Sequence, residues 1–479
     1  MVVHRETSFM SDPKRPAIEA DQPLEHPPGF RARRGQNWFM LGLMYASYYT
    51  CRYNLSIAAP SIIRQFGFDN ADFGLINTAR HWAYAVGQFI NGLFTDKLGG
   101  KQAMAVGAVL TIILNVLFGV ASHAGAGSVL ILFCIIRASD GYAQSFGAPG
   151  MIKINTAWFA RAERGRFAGV FGLMIQLGKI AINTLGLMLL TANTVAIFWI
   201  GPKMTIGGSW QWLFYIPPVF VGIVAVLMFL IVKNNPEEVG YEIKHDEREA
   251  ENDGDHEEKI PLSIVLRTIL GKPMVWITAC AYFCTGFVRS AQDDWWVRYF
   301  DQEWGLDIST SSLVIITGAL LPITGFVGSI SSGYISDTFF KGRRAPVAMA
   351  LYGLESAVIL LAALLLSNPS IATPGLAAVL MLAVSLTCNS THSILGTAAA
   401  MDLGGRKMAG FAAGVIDSFQ YIGAGISGWA LGKLLDYTNA MTDLGWVAWY
   451  YAMLPFSLMG MILMGVIWWR TRGKDVVGG

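Results

Sequence analysis

Twelve stretches of this chain are apolar for about twenty residues or more at a time, the length that carries an α-helix across the roughly 30 Å hydrocarbon core of a bilayer. They run over 38–63, 73–95, 102–122, 128–150, 166–192, 211–232, 274–298, 311–335, 346–367, 374–398, 408–433 and 446–469. A backbone in lipid must satisfy its hydrogen bonds internally, so each run is expected to be a helix. The expected fold class is an all-α membrane protein with twelve transmembrane helices. Composition agrees: 14% of the 479 residues are charged, against about 25% in soluble domains.

The connections carry the orientation. One set holds Arg31, Arg33 and Arg34; Lys97 and Lys101; Arg161, Arg164 and Arg166; Lys341, Arg343 and Arg344; Arg406 and Lys407; and Arg470, Arg472 and Lys474. The alternate set holds little beyond Arg64 and Lys203. By the positive-inside rule the first set faces the cytoplasm, and so do both termini. The first 30 residues are polar and Pro-rich without an apolar core, so no cleavable signal peptide is expected. A net charge of +2 and short basic clusters give no sign of a nucleic-acid partner.

The chain divides into a tail (1–36), six spans (37–233), a linker (234–272), six spans (273–470) and a second tail (471–479). The acidic centre of the linker, from His245 to Glu258, cannot bury a core and is expected to be flexible. The halves repeat. Gly92-Leu93-Phe94-Thr95-Asp96 recurs as Gly333-Tyr334-Ile335-Ser336-Asp337, at 333 − 92 = 241. Arg166-Phe167-Ala168-Gly169 recurs as Lys407-Met408-Ala409-Gly410, at 407 − 166 = 241. A duplicated six-helix unit around a central linker is the plan of an alternating-access transporter. No nucleophile–base pair, metal cluster or nucleotide loop stands out, so neither an enzyme nor a cofactor is expected. The five cysteines lack metal or disulfide spacing; Cys280 and Cys284 sit one turn apart as packing thiols.

Arg52 lies in the middle of the first apolar run. A cation at a helix centre costs about 2.5–3.5 kcal/mol on insertion scales. It therefore needs a wet cavity, a counter-charge or an anionic ligand.

Gly92-Leu93-Phe94-Thr95-Asp96-Lys97-Leu98-Gly99-Gly100-Lys101 resembles the signature between the second and third helices of the major facilitator superfamily. The resemblance implies two pseudo-symmetric six-helix halves, with Asp96, Lys97, Lys101 and Asp337 as gating charges. A narrower resemblance, covering Trp38 to Trp469, is to the organophosphate:phosphate antiporters, which include bacterial glycerol-3-phosphate, hexose-phosphate and phosphoglycerate transporters. It rests on Tyr48-Tyr49-Thr50-Cys51-Arg52-Tyr53-Asn54, Gln144-Ser145-Phe146-Gly147-Ala148-Pro149-Gly150, Glu163-Arg164-Gly165, Phe287-Val288-Arg289-Ser290-Ala291-Gln292-Asp293-Asp294-Trp295, Lys341-Gly342-Arg343-Arg344 and Ala409-Gly410-Phe411-Ala412-Ala413-Gly414.

In that family two arginines face each other and bind phosphate, which implies this role for Arg52 and Arg289, 289 − 52 = 237 apart. Guanidinium offers bidentate donors to phosphate and keeps its charge. Structural ion pairing is the alternative, above all for Arg289 with Asp293 at i+4. Tyr45 and Tyr49, on roughly the Arg52 face, match cavity tyrosines, as do Tyr84 and Tyr421. His392 is a further candidate ligand in the second half. The chain departs from the family in two places. Ile175 stands where a histidine is usual, and Tyr53 where a lysine often partners the aspartate aligned with Asp294. Lys179, one turn beyond Ile175, either supplies a replacement cation or pairs with a carboxylate.

Arg137 and Asp140, three apart, are expected to pair, and Arg137-Ala138-Ser139-Asp140-Gly141 also resembles a pattern of proton-coupled antiporters. Arg80, His81, Glu355 and Asp417 are read as intramembrane bridges at least as readily as substrate contacts. The expected function is exchange of an organic phosphate ester for inorganic phosphate by a monomer in a bacterial inner membrane. Proton-coupled organic-anion transport and sugar-phosphate sensing are the alternatives.

Overall fold

The computed structural model describes residues 27–124, 126–159, 161–190, 192–195, 204–241, 267–268, 270–340, 343–442 and 444–471; for 126–127, 161–171, 192–195, 204–207, 397–413, Asp96 and Asp337 the description is of the backbone alone. The first half comprises α1 (Phe30–Arg52), α2 (Asn54–Phe66), α3 (Asn70–Leu98), α4 (Gly100–Ala121), α5 (Ala126–Gln144), α6 (Gly147–Trp158), α7 (Arg161–Leu190) and α8 (Trp212–Ile231). The second half comprises α9 (Pro273–Trp304), α10 (Ser312–Phe339), α11 (Arg344–Leu366), α12 (Pro374–Ser393), α13 (Ala400–Met441) and α14 (Val447–Thr471). The first span is broken into α1 and α2, and the fourth into α5 and α6, so these fourteen helices make the twelve expected spans. A π-helical stretch, Ile394–Ala399, follows α12. Among the described residues, the departure from an all-helical chain is an antiparallel ribbon between α7 and α8, pairing Ala192–Val195 with Met204–Gly207.

Each helix is sorted by its helical period. On α4, Met104, Ala108, Thr111, Asn115 and Phe118 are buried, whereas Val109, Ile113, Leu117 and Val120 on the other side are exposed. In a bilayer that exposed stripe meets acyl chains. Four spans fall short of the simple criterion of length and apolarity: the first, the second (α3), the seventh (α9) and the eleventh (α13). These carry Arg52, Arg80, His81, Arg289, Asp293, Asp294, Asp417 and Tyr421. Polarity is concentrated where the halves meet.

The repeat is visible in the geometry. α3 ends at Leu98 and α10 at Phe339, and 339 − 98 = 241. The first and seventh spans run side by side, and positions 237 apart meet: Ser56 Oγ donates to the Asp293 carbonyl at 3.0 Å, and Arg64 pairs with Asp301 at 2.7 Å. Farther along, α13 crosses α3, where a side chain at Gly74 would run into the Gly428 backbone and one at Gly432 into Asn70. This small-xxx-small spacing lets two backbones approach closely in a membrane. Asp436 then accepts the Asn70 and Ala71 amides at 3.0 and 2.8 Å, placing a carboxylate on the N-terminus of α3. These contacts tie the halves together on the face away from the linker.

Candidate functional site

The break in the first span organises the site. At Tyr53 the backbone leaves the helix (φ −99°, ψ 1°), with no glycine or proline at that residue. A helix that stops inside a bilayer leaves carbonyls without partners. Arg137 on α5 satisfies them: its Nη1 donates to the Cys51 carbonyl at 3.3 Å and its Nη2 to the Arg52 carbonyl at 3.0 Å. Arg137 is itself paired with Asp140 at 3.1 Å, and Gln144 and Asn115 donate to the same carboxylate. Asn54, the first residue after the break, donates to Asn115 at 2.8 Å. Arg137 and Asp140 therefore form a brace for the break, with both Arg137 Nη atoms and both Asp140 oxygens engaged by protein groups.

Gln144 links the brace to Arg52, accepting from Nε at 2.9 Å while its amide nitrogen serves Asp140. Around Arg52 the other groups are aromatic. Its guanidinium carbon lies 4.6 Å from the Tyr49 ring centre and 4.7 Å from that of Tyr84. Nη1 reaches the Tyr421 hydroxyl at 3.4 Å. Tyr84 and Tyr421 are in ring contact at 4.1 Å, and Tyr45 lies against Tyr49 at 5.6 Å. The four tyrosines singled out from the sequence thus gather in one cluster around Arg52, drawn from the first, second and eleventh spans. Desolvated cation–π contacts are worth about 2 kcal/mol each, but they do not neutralise the charge. Among the described residues Arg52 has no carboxylate within ion-pair distance, and its Nη2 is buried without a hydrogen-bond partner.

Arg289 sits differently. Asp293, one turn on, is 3.8 Å from its Nε, at the limit of an ion pair. Lys179 holds that carboxylate more closely, at 2.7 Å across the interface between halves, and the Tyr53 hydroxyl donates to it at 3.0 Å. The residue at 53 therefore keeps contact with the acidic pair of α9, but as a phenol and to Asp293. Asp294 turns instead to the second span, accepting from Arg80 at 3.3 Å and from His81 at 2.7 Å. Lys179, Asn183, Tyr53, Asp293 and Ser385 line a small cavity between the halves.

The remaining candidates lie apart from Arg52. His392 stacks on Tyr282 in the second half, with Nδ1 2.8 Å from the phenol oxygen. Asp417, on α13, accepts from Gln88 of α3 at 2.6 Å. Glu355 is buried on α11. Lys97 is exposed. Lys101 donates to the Phe229 carbonyl of α8 at 3.1 Å, within its own half. The side chains of Asp96 and Asp337 lie outside the described residues. Sequence reading had passed over Gln144 as a site residue, although it stood in a quoted motif. A glutamine in an apolar run was the available signal.

A broken first helix, a central arginine and two facing halves are features of a transporter core. The description that matches this chain, over residues 41–428, is that of the Major Facilitator Superfamily. The chain belongs to that superfamily. Among solved structures, a D-xylose–proton symporter superposes with a TM-score of 0.66 over 91% of this chain and 97% of the other, at 13% identity. That likeness shows the fold. Among relatives in sequence, the membrane sensor protein UhpC of Salmonella typhimurium is 25% identical over 90% of this chain and 91% of its own. The hexose-6-phosphate:phosphate antiporter of the same species is 24% identical over 96% of this chain and 95% of its own. The family is one of transporters, not enzymes.

Proposed function

We propose that this protein exchanges an organic phosphate ester for inorganic phosphate by alternating access, with Arg52 and Arg289 as the phosphate ligands. The observation that carries this is the condition of Arg52: buried, aromatic on two sides, unpaired with any described carboxylate, and holding one free donor nitrogen. Such a group is completed by an anion with several acceptor oxygens. Arg52, Arg289 and Lys179 bring three positive charges, against Asp293 near the last two. The balance is two positive charges, or one when Asp417 is included, which suits a phosphate between its mono- and dianionic forms. The similarity to a hexose-6-phosphate:phosphate antiporter supports the same substrate class.

Exchange follows from electrostatics. An empty site leaves cations facing each other across the interface, and a bound anion draws the halves together, so only the loaded protein crosses between states. The excess of basic connections on the linker face supports a cytoplasmic orientation for that face. The contacts that close the opposite face then describe a state shut towards the outside. Functionally the protein acts as a monomer. Proteoliposomes loaded with phosphate and offered a panel of external phosphate esters test this: the expected result is phosphate efflux that requires an external ester and survives collapse of the proton gradient. Uptake of a carboxylate with no phosphate ester exchanged would contradict it. The similarity to UhpC favours a second reading, a sensor that binds the same ester. Ester binding without counterflow would identify that case.

A further inference from the structure

Two buried amide groups meet at the interface between halves without finding hydrogen-bond partners for their oxygens. Gln176 stands on α7 of the first half and Asn389 on α12 of the second, 6% and 5% exposed. Gln176 Oε1 and Asn389 Oδ1 are both buried with no partner among the described residues. The Asn389 amide is oriented by its nitrogen, which donates to the Ser385 carbonyl at 2.9 Å. That carbonyl accepts only, so Oδ1 is the free end. Gly325 of α10 lies between the two amides. A Cβ there would come within 3.0 Å of Asn389 Nδ2 and 3.2 Å of Gln176 Nε2, so only the absence of a side chain leaves the amides room to meet. Gln176 is three residues before Lys179, on the same side of α7.

We propose that Gln176 and Asn389 form a second subsite that reads hydroxyl groups on the organic part of the ester; this rests on the phosphate exchange proposed above. Buried polar groups are nearly always paired, so two orphaned acceptors on opposing halves mark places where a donor belongs. The deprotonated oxygens of phosphate and carboxylate accept only and do not satisfy an amide oxygen. A hydroxyl group does, since it donates one hydrogen and keeps lone pairs for the amide nitrogens. The arginines and Lys179 thus hold the charged end of the ligand, while the two amides sort the neutral end. Because one amide comes from each half, a hydroxylated ester whose phosphate is held by the arginines spans the interface at a second point.

The test compares glycerol phosphate with propyl phosphate, which has the same carbon chain without free hydroxyls, in phosphate-loaded proteoliposomes. The wild-type protein is expected to reach half-saturation at an at least tenfold lower concentration of glycerol phosphate, because a site built for a hydroxyl rejects an analogue that lacks it. In Gln176→Leu/Asn389→Leu that preference is expected to fall below about threefold. Equal handling of the two esters by the wild type overturns the subsite whatever the variant does, as does a variant that keeps the full preference. Should the variant fail to fold, the wild-type comparison decides alone. Should the wild type exchange no phosphate of any kind, the phosphate assignment fails, and the subsite with it.

Discussion

Arg52 and Arg289 occupy equivalent spans of the two halves, yet their surroundings differ in kind. Arg52 is enclosed by Tyr49, Tyr84, Tyr421 and Gln144, all neutral. Arg289 stands beside Asp293, a carboxylate that Lys179 holds at shorter range. The first arrangement orients a cation and leaves its charge unspent. The second shares one negative charge between two cations, so either can be released to a ligand while the other remains with the acid. The two arginines, 237 apart where the repeat is 241, are thus proposed as a fixed anchor and an adjustable partner. A third buried arginine sets the reference: Arg137 has both an acid and two carbonyls to serve, and it acts as a brace.

Breaking the anchor should have the largest effect. Arg52→Lys replaces a planar fork with a point charge, and a loss of about a hundredfold in phosphate exchange is expected, equivalent to about 2.7 kcal/mol. Arg289→Lys should lose only about tenfold, because Lys179 remains beside Asp293. Initial rates of labelled phosphate exchange measure both, and equal losses would erase the distinction. Lys179→Gln leaves Asp293 with the distant Arg289 and the Tyr53 hydroxyl; exchange is expected to fall about fivefold while the protein still inserts. Asp293→Asn frees both cations, and the half-saturating phosphate concentration should drop about threefold; a rise would mean that the carboxylate positions Arg289 for its ligand. Tyr84→Phe keeps the ring over the guanidinium and should change exchange by no more than about twofold.

Much of this was legible in the residues. The helices follow from apolar run length, which the bilayer imposes on any spanning helix, and the halves from two motifs recurring at one offset. Arg52 drew attention through its cost in an apolar run. Tyr45 and Tyr49 followed from helical spacing together with family resemblance, and Tyr84 and Tyr421 from resemblance alone. What was not legible depends on chain segments distant in sequence. Nothing at Tyr53 announces the helix break, because the brace that permits it comes from α5. Whether Lys179 faced the cavity or a carboxylate was open in the sequence; the pairing with Asp293 at 2.7 Å depends on how α7 meets α9. Asp294 finding Arg80 and His81 likewise depends on how α3 packs against the second half. The ribbon lies in the connection between the runs 166–192 and 211–232, where no alternating pattern singled out strands.

The central claim is that Arg52 waits for a phosphate group, and counterflow tests it most directly. Wild-type protein and Arg52→Lys are reconstituted side by side, and labelled phosphate entry is followed with and without unlabelled phosphate inside. Entry is expected only into loaded vesicles, and about a hundredfold more slowly with Arg52→Lys than with the wild type. Entry into empty vesicles at the same rate, or an Arg52→Lys protein exchanging as fast as the wild type, would contradict it.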